Sequence, residues 1–299
     1  DQSGAKALFH DPDLAPTVDA VRKTAKVEHY GLIRGGDGDI LSVTLDRSAP
    51  RIDESDCGDG DPAQFCYTSG TTAAPKAAVM SHRAYVAEYM ACAIEMEFSG
   101  SDVALAALPL YHTAQMHAFT MPQMMIGAVT HLIEAPAPDV VLELIERLKI
   151  TSFFAPPTVW ISLLRHPDFD RRDLRTLRNI YYGASIMPVP VLQELRQKLP
   201  GVRFYNCYGQ TEIAPLATIL KPEEHDDRPA SAGRPILTVQ TRVVDEAMDD
   251  CPPGVHGEIV RGHALAGARE GAERGALGAD DDDGLGQLGH GELSFVEGC

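Results

Sequence analysis

Positive charge is scarce in this chain. Its 26 Lys and Arg stand against 43 Asp and Glu in 299 residues, a formal net charge of −17. A nucleic-acid surface needs clustered cations to meet the phosphate backbone, so that class is excluded. Long apolar runs are missing too: nothing approaches the ~20 continuous apolar residues that a membrane-spanning helix requires. Nor does a positively charged, then apolar, leader open the chain at Asp1. Paired cysteines are absent. The six, at 57, 66, 92, 207, 251 and 299, form no CxxC and no metal-ligand spacing. A reduced, cytoplasmic protein is the simplest reading of that usage.

What is present is a dense polar loop. Tyr67-Thr68-Ser69-Gly70-Thr71-Thr72-Ala73-Ala74-Pro75-Lys76 places four hydroxyls beside Tyr67, a glycine and a lysine within ten residues, after the apolar Phe65-Cys66. Hydroxyls and the N–H groups of a turning loop make a nest for phosphate oxygens, and a lysine adds a point charge. A Walker A loop is excluded, because no second glycine precedes Lys76 and no Ser or Thr follows it. A polar turn between a strand and a helix has the same composition. Three further motifs lie downstream: Pro109-Leu110-Tyr111-His112, Tyr181-Tyr182-Gly183-Ala184-Ser185 and Tyr208-Gly209-Gln210-Thr211-Glu212.

From Phe65 onward, short β-rich runs alternate with helical patterns. That predicts an α/β fold with a parallel sheet and crossover helices. Strands are expected at 102–108, 128–133, 151–155, 179–183 and 202–206, and helices within 112–126, after Asp139 as N-cap, at 159–164 and at 189–198. Val141, Leu144, Ile145 and Leu148 share one helix face. The Gly183 and Tyr208 motifs then fall just past the carboxyl ends of strands, where open sheets place ligands. Strands are also expected at 238–244 and 258–261, around the turn Cys251-Pro252-Pro253-Gly254, and Ser3 to Phe9 reads as a strand edge. Gly35 to Asp39 and the acidic run Asp53 to Asp61 read as surface connections. Residues 262–299 hold 10 glycines and the run Asp280 to Asp283, a composition that predicts disorder.

In this order and spacing, the four motifs resemble the AMP-forming acyl-CoA synthetase and adenylate-forming superfamily, most of all the bacterial fatty-acyl-CoA synthetases. The resemblance implies the large N-terminal domain of those enzymes: an α/β AMP-binding region over 1–232, lacking its early part, then the start of a small β-barrel-like subdomain over 233–262. The expected Thr-Gly-Asp motif and mobile C-terminal domain have no counterpart, so a partial chain is expected, with a shifted reading frame after about residue 261 as one source of the atypical 263–299.

The resemblance assigns Thr68, Ser69, Gly70, Thr71, Thr72 and Lys76 to the β- and γ-phosphates of ATP, and Thr211 to the α-phosphate. Glu212 would hold Mg2+, and Gly183, Ala184, Ser185, Asn206, Tyr208 and Gly209 would form the adenine slot. His112 would lie beside the carboxylate pocket, though capping or core packing explains a histidine at such a junction equally well. Lys76, His112, Thr211 and Glu212 are the expected catalytic set. Where relatives carry Gly, this chain has Ala73 and Ala77. A need for φ > 0 at either would stiffen the loop. The implied activity is ATP-dependent formation of an acyl adenylate and then a thioester with CoA. Relatives that activate amino acids place an Asp near Tyr111-His112, and none stands here, so a fatty or other apolar carboxylate is expected. The apolar residues Met116, Ala118, Phe119, Met121, Met124 and Met125 agree with that, as they would with plain core filling. Two alternatives stay open: a catalytically incomplete remnant that binds nucleotide or acyl ligand, and an adenylation module for another carboxylate.

Overall fold

The computed structural model describes residues 3–36, 39–46, 48, 56–68, 76–255 and 257–263. Of the tail expected over 263–299, His263 ends a strand and 264–299 lie outside the described residues, as do residues 37 and 38, the acidic residues 53–55 and the loop residues 69–75. The chain divides into two compact units, Asp1–Cys57 and Gly58–Cys299.

The first unit is a small βαβ arrangement. β1 (Ala7–His10) and β2 (His29–Leu32) pair in parallel, Ala7 opposite His29, across the helix α1 (Ala15–Arg22). A short helix, α2 (Ile40–Leu45), follows. Its N-cap is Asp39, expected only as part of a loop, whose carboxylate accepts the Ser42 N–H at 2.7 Å.

The second unit opens with an antiparallel hairpin of β3 (Pro62–Thr68) and β4 (Lys76–Ser81), with Thr68 opposite Lys76. Ser81 caps the next helix, α3 (His82–Glu95), by accepting the Ala84 N–H at 3.2 Å. The chain then forms β5 (Val103–Ala106), a π-helical stretch at Ala114–Thr120, α4 (Met121–Met125), β6 (Val129–Leu132) and α5 (Pro138–Leu148). There follow β7 (Ser152–Ala155), α6 (Pro157–Arg165), β8 (Asn179–Gly183), α7 (Val189–Lys198), β9 (Arg203–Gly209) and β10 (Leu216–Leu220). The short β11 (Arg234–Pro235) completes a seven-stranded sheet in the order β11-β10-β9-β8-β7-β5-β6. β6, β5, β7, β8 and β9 run parallel; β10 and β11 add antiparallel edges. β12 (Val239–Val244) and β13 (Glu258–His263) form a separate antiparallel pair.

Both faces of the sheet are covered, as a parallel sheet requires. Ile180 and Tyr182 of β8 enter a core built with Val141, Ile145, Trp160 and Leu192 from α5, α6 and α7. Tyr181 points the other way, among Ala91, Cys92, Phe119 and Tyr205. The strict alternation of neighbouring residues between two cores follows from the period of two along a strand.

Three details correct the sequence reading. α5 starts at Pro138 with Ala137 as its N-cap, so Asp139 lies in the first turn. Proline is favoured there because its missing N–H would have no helical partner anyway. The segment 112–126 is a π-helix followed by one turn of α-helix, and no repeating sequence pattern announces a π-helix. β9 runs on to Gly209, so Tyr208 and Gly209 are its last residues and do not lie beyond it.

Candidate functional site

The carboxyl ends of β5, β7, β8 and β9 share one edge of the sheet. β5 pairs with β6 on one side and β7 on the other, so the chain direction across the sheet reverses between β5 and β7. Such a switch point opens a crevice at the carboxyl edge. The segment leaving β5 there carries His112 and Thr113, and only Pro156 separates β7 from α6.

Gly183 ends β8, and its lack of a side chain is required. A Cβ there would stand 2.1 Å from the carbonyl oxygen of Cys207 on β9. Ala184 follows in the left-handed region, φ 63°, an uncommon state for a residue with a Cβ. Ala184 and Ser185 are both exposed at the edge. Gly209 ends β9 under a similar constraint, since a Cβ would meet the Pro215 carbonyl oxygen at 1.9 Å. Tyr208 is half-buried and packs on the core that holds Tyr205 and Ile213. Asn206 directs its Nδ2 to the Ser231 carbonyl at 2.8 Å, which fixes the amide's orientation.

After β9 the chain makes a single 3-10 turn, Thr211–Ile213, with Glu212 exposed and Ile213 buried. The turn is pinned by Gln210 N–H donating to the Pro215 carbonyl at 2.8 Å. Two other segments meet it. Thr113, buried at the start of the π-helix, bonds through its hydroxyl to that of Thr211 at 3.2 Å. β4 packs against the turn, and Ala214 joins Cys66, Ala78, Met80 and Tyr85 in one apolar cluster. The hairpin, the His112 segment and the Thr211-Glu212 turn are therefore mutual neighbours.

Lys76 opens β4 with its side chain exposed. Ser69, Gly70, Thr71 and Thr72 lie outside the described residues, as does Ala73; for Thr68 the backbone pairing alone is described. Ala77 is buried opposite Tyr67 in regular β-pairing and is not among the residues with positive φ, so the strain considered for that position is absent. His112 is exposed, and its Nδ1 accepts the Ala114 N–H at 3.3 Å. In the neutral ring the proton then sits on Nε2, the nitrogen left to face a ligand. The apolar run after it divides in two: Ala118 and Phe119 are core, with Phe119 stacked on Phe154 at 4.0 Å, while Met124 and Met125 are exposed.

Sequence reasoning missed a second tier of polar groups below the edge. Gln64 of β3 accepts from the Tyr85 hydroxyl at 2.5 Å and from His117 Nε2 at 2.6 Å. Tyr89 OH donates to His117 Nδ1 at 2.6 Å. Glu88 is fully buried on α3, and its Oε1 accepts the Leu216 N–H at 2.6 Å. Burial pushes the Glu88 carboxyl up to about 8 and the His117 imidazole down to about 4. The one legible signal was an acid inside the apolar run between Arg83 and Glu95.

For a divalent cation, the donor set is one exposed carboxylate, Glu212, next to the Thr211 hydroxyl. No cluster of three His, Cys, Asp or Glu suited to an ion exists among the described residues. That set fits Mg2+, which takes one or two carboxylates and fills its octahedron with water and substrate phosphate. It does not fit a metal held by protein ligands alone.

Known proteins resemble the chain along most of its length. The family described as AMP-binding enzyme matches residues 1–267. A feruloyl-CoA synthase from Amycolatopsis sp is 30% identical over 261 residues, covering 86% of this chain and 50% of the relative. The medium/long-chain-fatty-acid–CoA ligase FadD8 of Mycobacterium tuberculosis is 34% identical over 204 residues, 67% of this chain and 35% of the relative. The chain thus spans about half the length, or less, of these curated relatives. Among solved structures, the N-terminal domain of FACL13 from Mycobacterium tuberculosis superposes with a TM-score of 0.77 at 25% identity, over 88% of this chain and 65% of that one. ATP-bound MatB from Rhodopseudomonas palustris shares the fold, with a TM-score of 0.76 at 24% identity over 90% of this chain and 54% of that one.

Proposed function

Because the chain belongs to the AMP-binding enzyme family, we propose that the protein activates an apolar carboxylic acid with ATP and passes the acyl group to coenzyme A. The substrate carboxylate oxygen attacks the α-phosphorus. The bond from that phosphorus to the bridging oxygen breaks, and pyrophosphate leaves with the electron pair. The CoA thiol, losing its proton, then attacks the acyl carbon, and AMP departs.

The observation that carries this reading is the meeting of β4, the Thr113 hydroxyl and the Thr211-Glu212 turn at the carboxyl edge of a parallel sheet. Two anions must approach each other, so fixed donors and cations aimed at the developing charge supply most of the acceleration. Thr68 to Thr72 and Lys76 are proposed to grip the β- and γ-phosphates, and Thr211 the α-phosphate. Gly183 to Ser185, with Tyr208 and Gly209, are proposed to receive adenine, whose close approach the two glycines permit. His112 Nε2 is proposed to donate to the substrate carboxylate. Bound at Glu212, Mg2+ would neutralise phosphate charge.

For the acid itself, relatives named for feruloyl and for fatty-acid ligation support an apolar class, and no acidic residue stands between Leu110 and Gln115 to attract an ammonium group. A fatty acid is the proposed member of that class. The test is calorimetric binding of MgATP together with acid-dependent exchange of labelled pyrophosphate into ATP, run in parallel with fatty, hydroxycinnamic and arylacetic acids. Glu212→Gln is expected to weaken MgATP at least tenfold while leaving metal-free ATP nearly unchanged. Unaltered magnesium dependence in that variant would remove Glu212 from the site, and stronger exchange with an aryl acid would move the substrate to that class.

A further inference from the structure

Three polar side chains of α3, Tyr85, Glu88 and Tyr89, occupy positions i, i+3 and i+4 on its inward face. Each reaches a different segment. Tyr85 bonds to Gln64, four residues before Thr68 on the hairpin. Tyr89 bonds to His117, five residues after His112 on the π-helix. Glu88 takes the N–H of Leu216, four residues after Glu212. His117 closes the set: its ring stacks on Tyr85 at 3.9 Å and 15°, and its Nε2 lies 2.6 Å from Gln64 Oε1. One tautomer satisfies every contact, with Nε2–H donating to Gln64 and Nδ1 accepting from Tyr89.

Such an arrangement is a poor way to gain stability. A carboxyl group placed in the core for one backbone N–H and the weak Cys92 thiol donor at 3.5 Å, its Oε2 left with no partner among the described residues, costs more than an apolar side chain of the same size. What directional contacts supply, and apolar packing does not, is a defined spacing between the pieces they join. We propose that the inward face of α3 is a positioning device for the nucleotide site, with Tyr85, Glu88 and Tyr89 holding the phosphate hairpin, the His112 helix and the Glu212 turn at one mutual distance. This rests on the nucleotide reading of that site. The three are positioning residues and act through the segments they hold.

The test uses the full chain and four variants: Tyr85→Phe, Tyr89→Phe, Glu88→Leu and Glu88→Gln. MgATP affinity is measured by calorimetry, and amide hydrogen exchange is followed by mass spectrometry. Tyr89→Phe and Glu88→Leu are expected to weaken MgATP about tenfold, the size of one lost buried hydrogen bond. Exchange should quicken in the hairpin at 62–68 and 76–81, in the His112 segment at 112–120 and in the turn at 209–216, while β7 and β8 stay as protected as before. Glu88→Gln keeps an acceptor for Leu216 and should return affinity to within about twofold of the parent. Tyr89→Phe and Tyr85→Phe remove a single hydroxyl each and decide the matter if Glu88→Leu does not fold. Variants that fold normally, bind MgATP as tightly as the parent and exchange at parental rates in the three segments overturn the proposal, as does quickening spread evenly over β7 and β8. A parent that fails to bind MgATP sinks the nucleotide reading instead, and the exchange pattern still decides whether α3 holds the three segments together.

Discussion

The two halves of the candidate site are built on different foundations. The proposed adenine side rests on β8 and β9, central parallel strands; residues 179–183 of β8 are all buried. The proposed phosphate side rests on β3 and β4, a two-stranded ribbon in which Phe65 and Tyr67 remain 38% and 46% exposed. An isolated hairpin is marginal in water, so its position depends on what touches it: α3, the His117 ring and the Thr211 turn. The lesson is a division of labour. On the proposed reading, the rigid sheet would supply a fixed wall for a flat ring, and a ribbon adjustable from behind would supply the grip on a chain of phosphates.

That contrast can be broken most forcefully at the core. Trp160, 1% exposed with its Nε1 donating to the Tyr181 carbonyl at 3.2 Å, should cost about 3–5 kcal/mol as Trp160→Ala. Phe65→Ala on the ribbon should cost about 1 kcal/mol or less. Comparable losses in urea unfolding would mean that the ribbon is as integral as the sheet. Next comes Gly183→Ala, which drives a Cβ into the Cys207 carbonyl, where backbone and not a flexible side chain must yield. Roughly 3 kcal/mol of destabilisation is expected, at the top of the overpacking range, with ATP affinity falling in step.

The ribbon side has a pH signature of its own. Folded Glu88 keeps its proton to about pH 8, whereas the unfolded chain releases it near its ordinary value of 4.5. Between those values the folded state binds more protons, so stability falls as pH rises through that window. His117 works the other way: unfolded it takes up a proton near 6.5, folded not until about 4, so its contribution falls as pH drops across that interval. The groups facing Glu88 are Cys92, Tyr85 and Tyr89 of its own helix and the Leu216 amide, with Cys207 beyond Cys92. From pH 7 to 8, where the carboxyl change dominates, unfolding free energy should drop by about 1 kcal/mol. Glu88→Gln should flatten that limb, and a slope that survives the substitution would assign it elsewhere. The smallest effect is expected at Ala184, whose left-handed φ glycine adopts freely. Ala184→Gly should change stability by under about 1 kcal/mol, measured by thermal melting, because relief of strain and added unfolded entropy oppose each other.

Much of the sheet was legible because its strands are bounded apolar runs. Asn179 to Gly183 and Val189 to Lys198 emerge with the bounds their pattern predicts. β9 extends three residues further than its apolar pattern because pairing with β10 holds Cys207, Tyr208 and Gly209 in the ladder. The motifs at 183, 208 and 211–212 announced themselves through glycine and hydroxyl chemistry. The α3 contacts did not. That helix is apolar nearly all round, with Val86, Met90 and Ile94 more than half exposed, so no polar face marks which way it turns. His117 looked like any core histidine, since its partners come from residues 28 and 53 positions away. Long-range pairings of that kind leave no local trace.

The single proline between β7 and α6 bears on how such a site could change. Pro156 bridges the two elements, and Pro157 occupies the first helical position, where it blocks the helix from growing backward. No slack exists there for an insertion. The connections after β5, β8 and β9 are each several residues long. On the proposed reading, the loops after β8 and β9 carry the nucleotide contacts, so divergence toward a new acid would be written into the loop after β5, and a library aimed at altered selectivity should randomise that loop and leave the double proline alone.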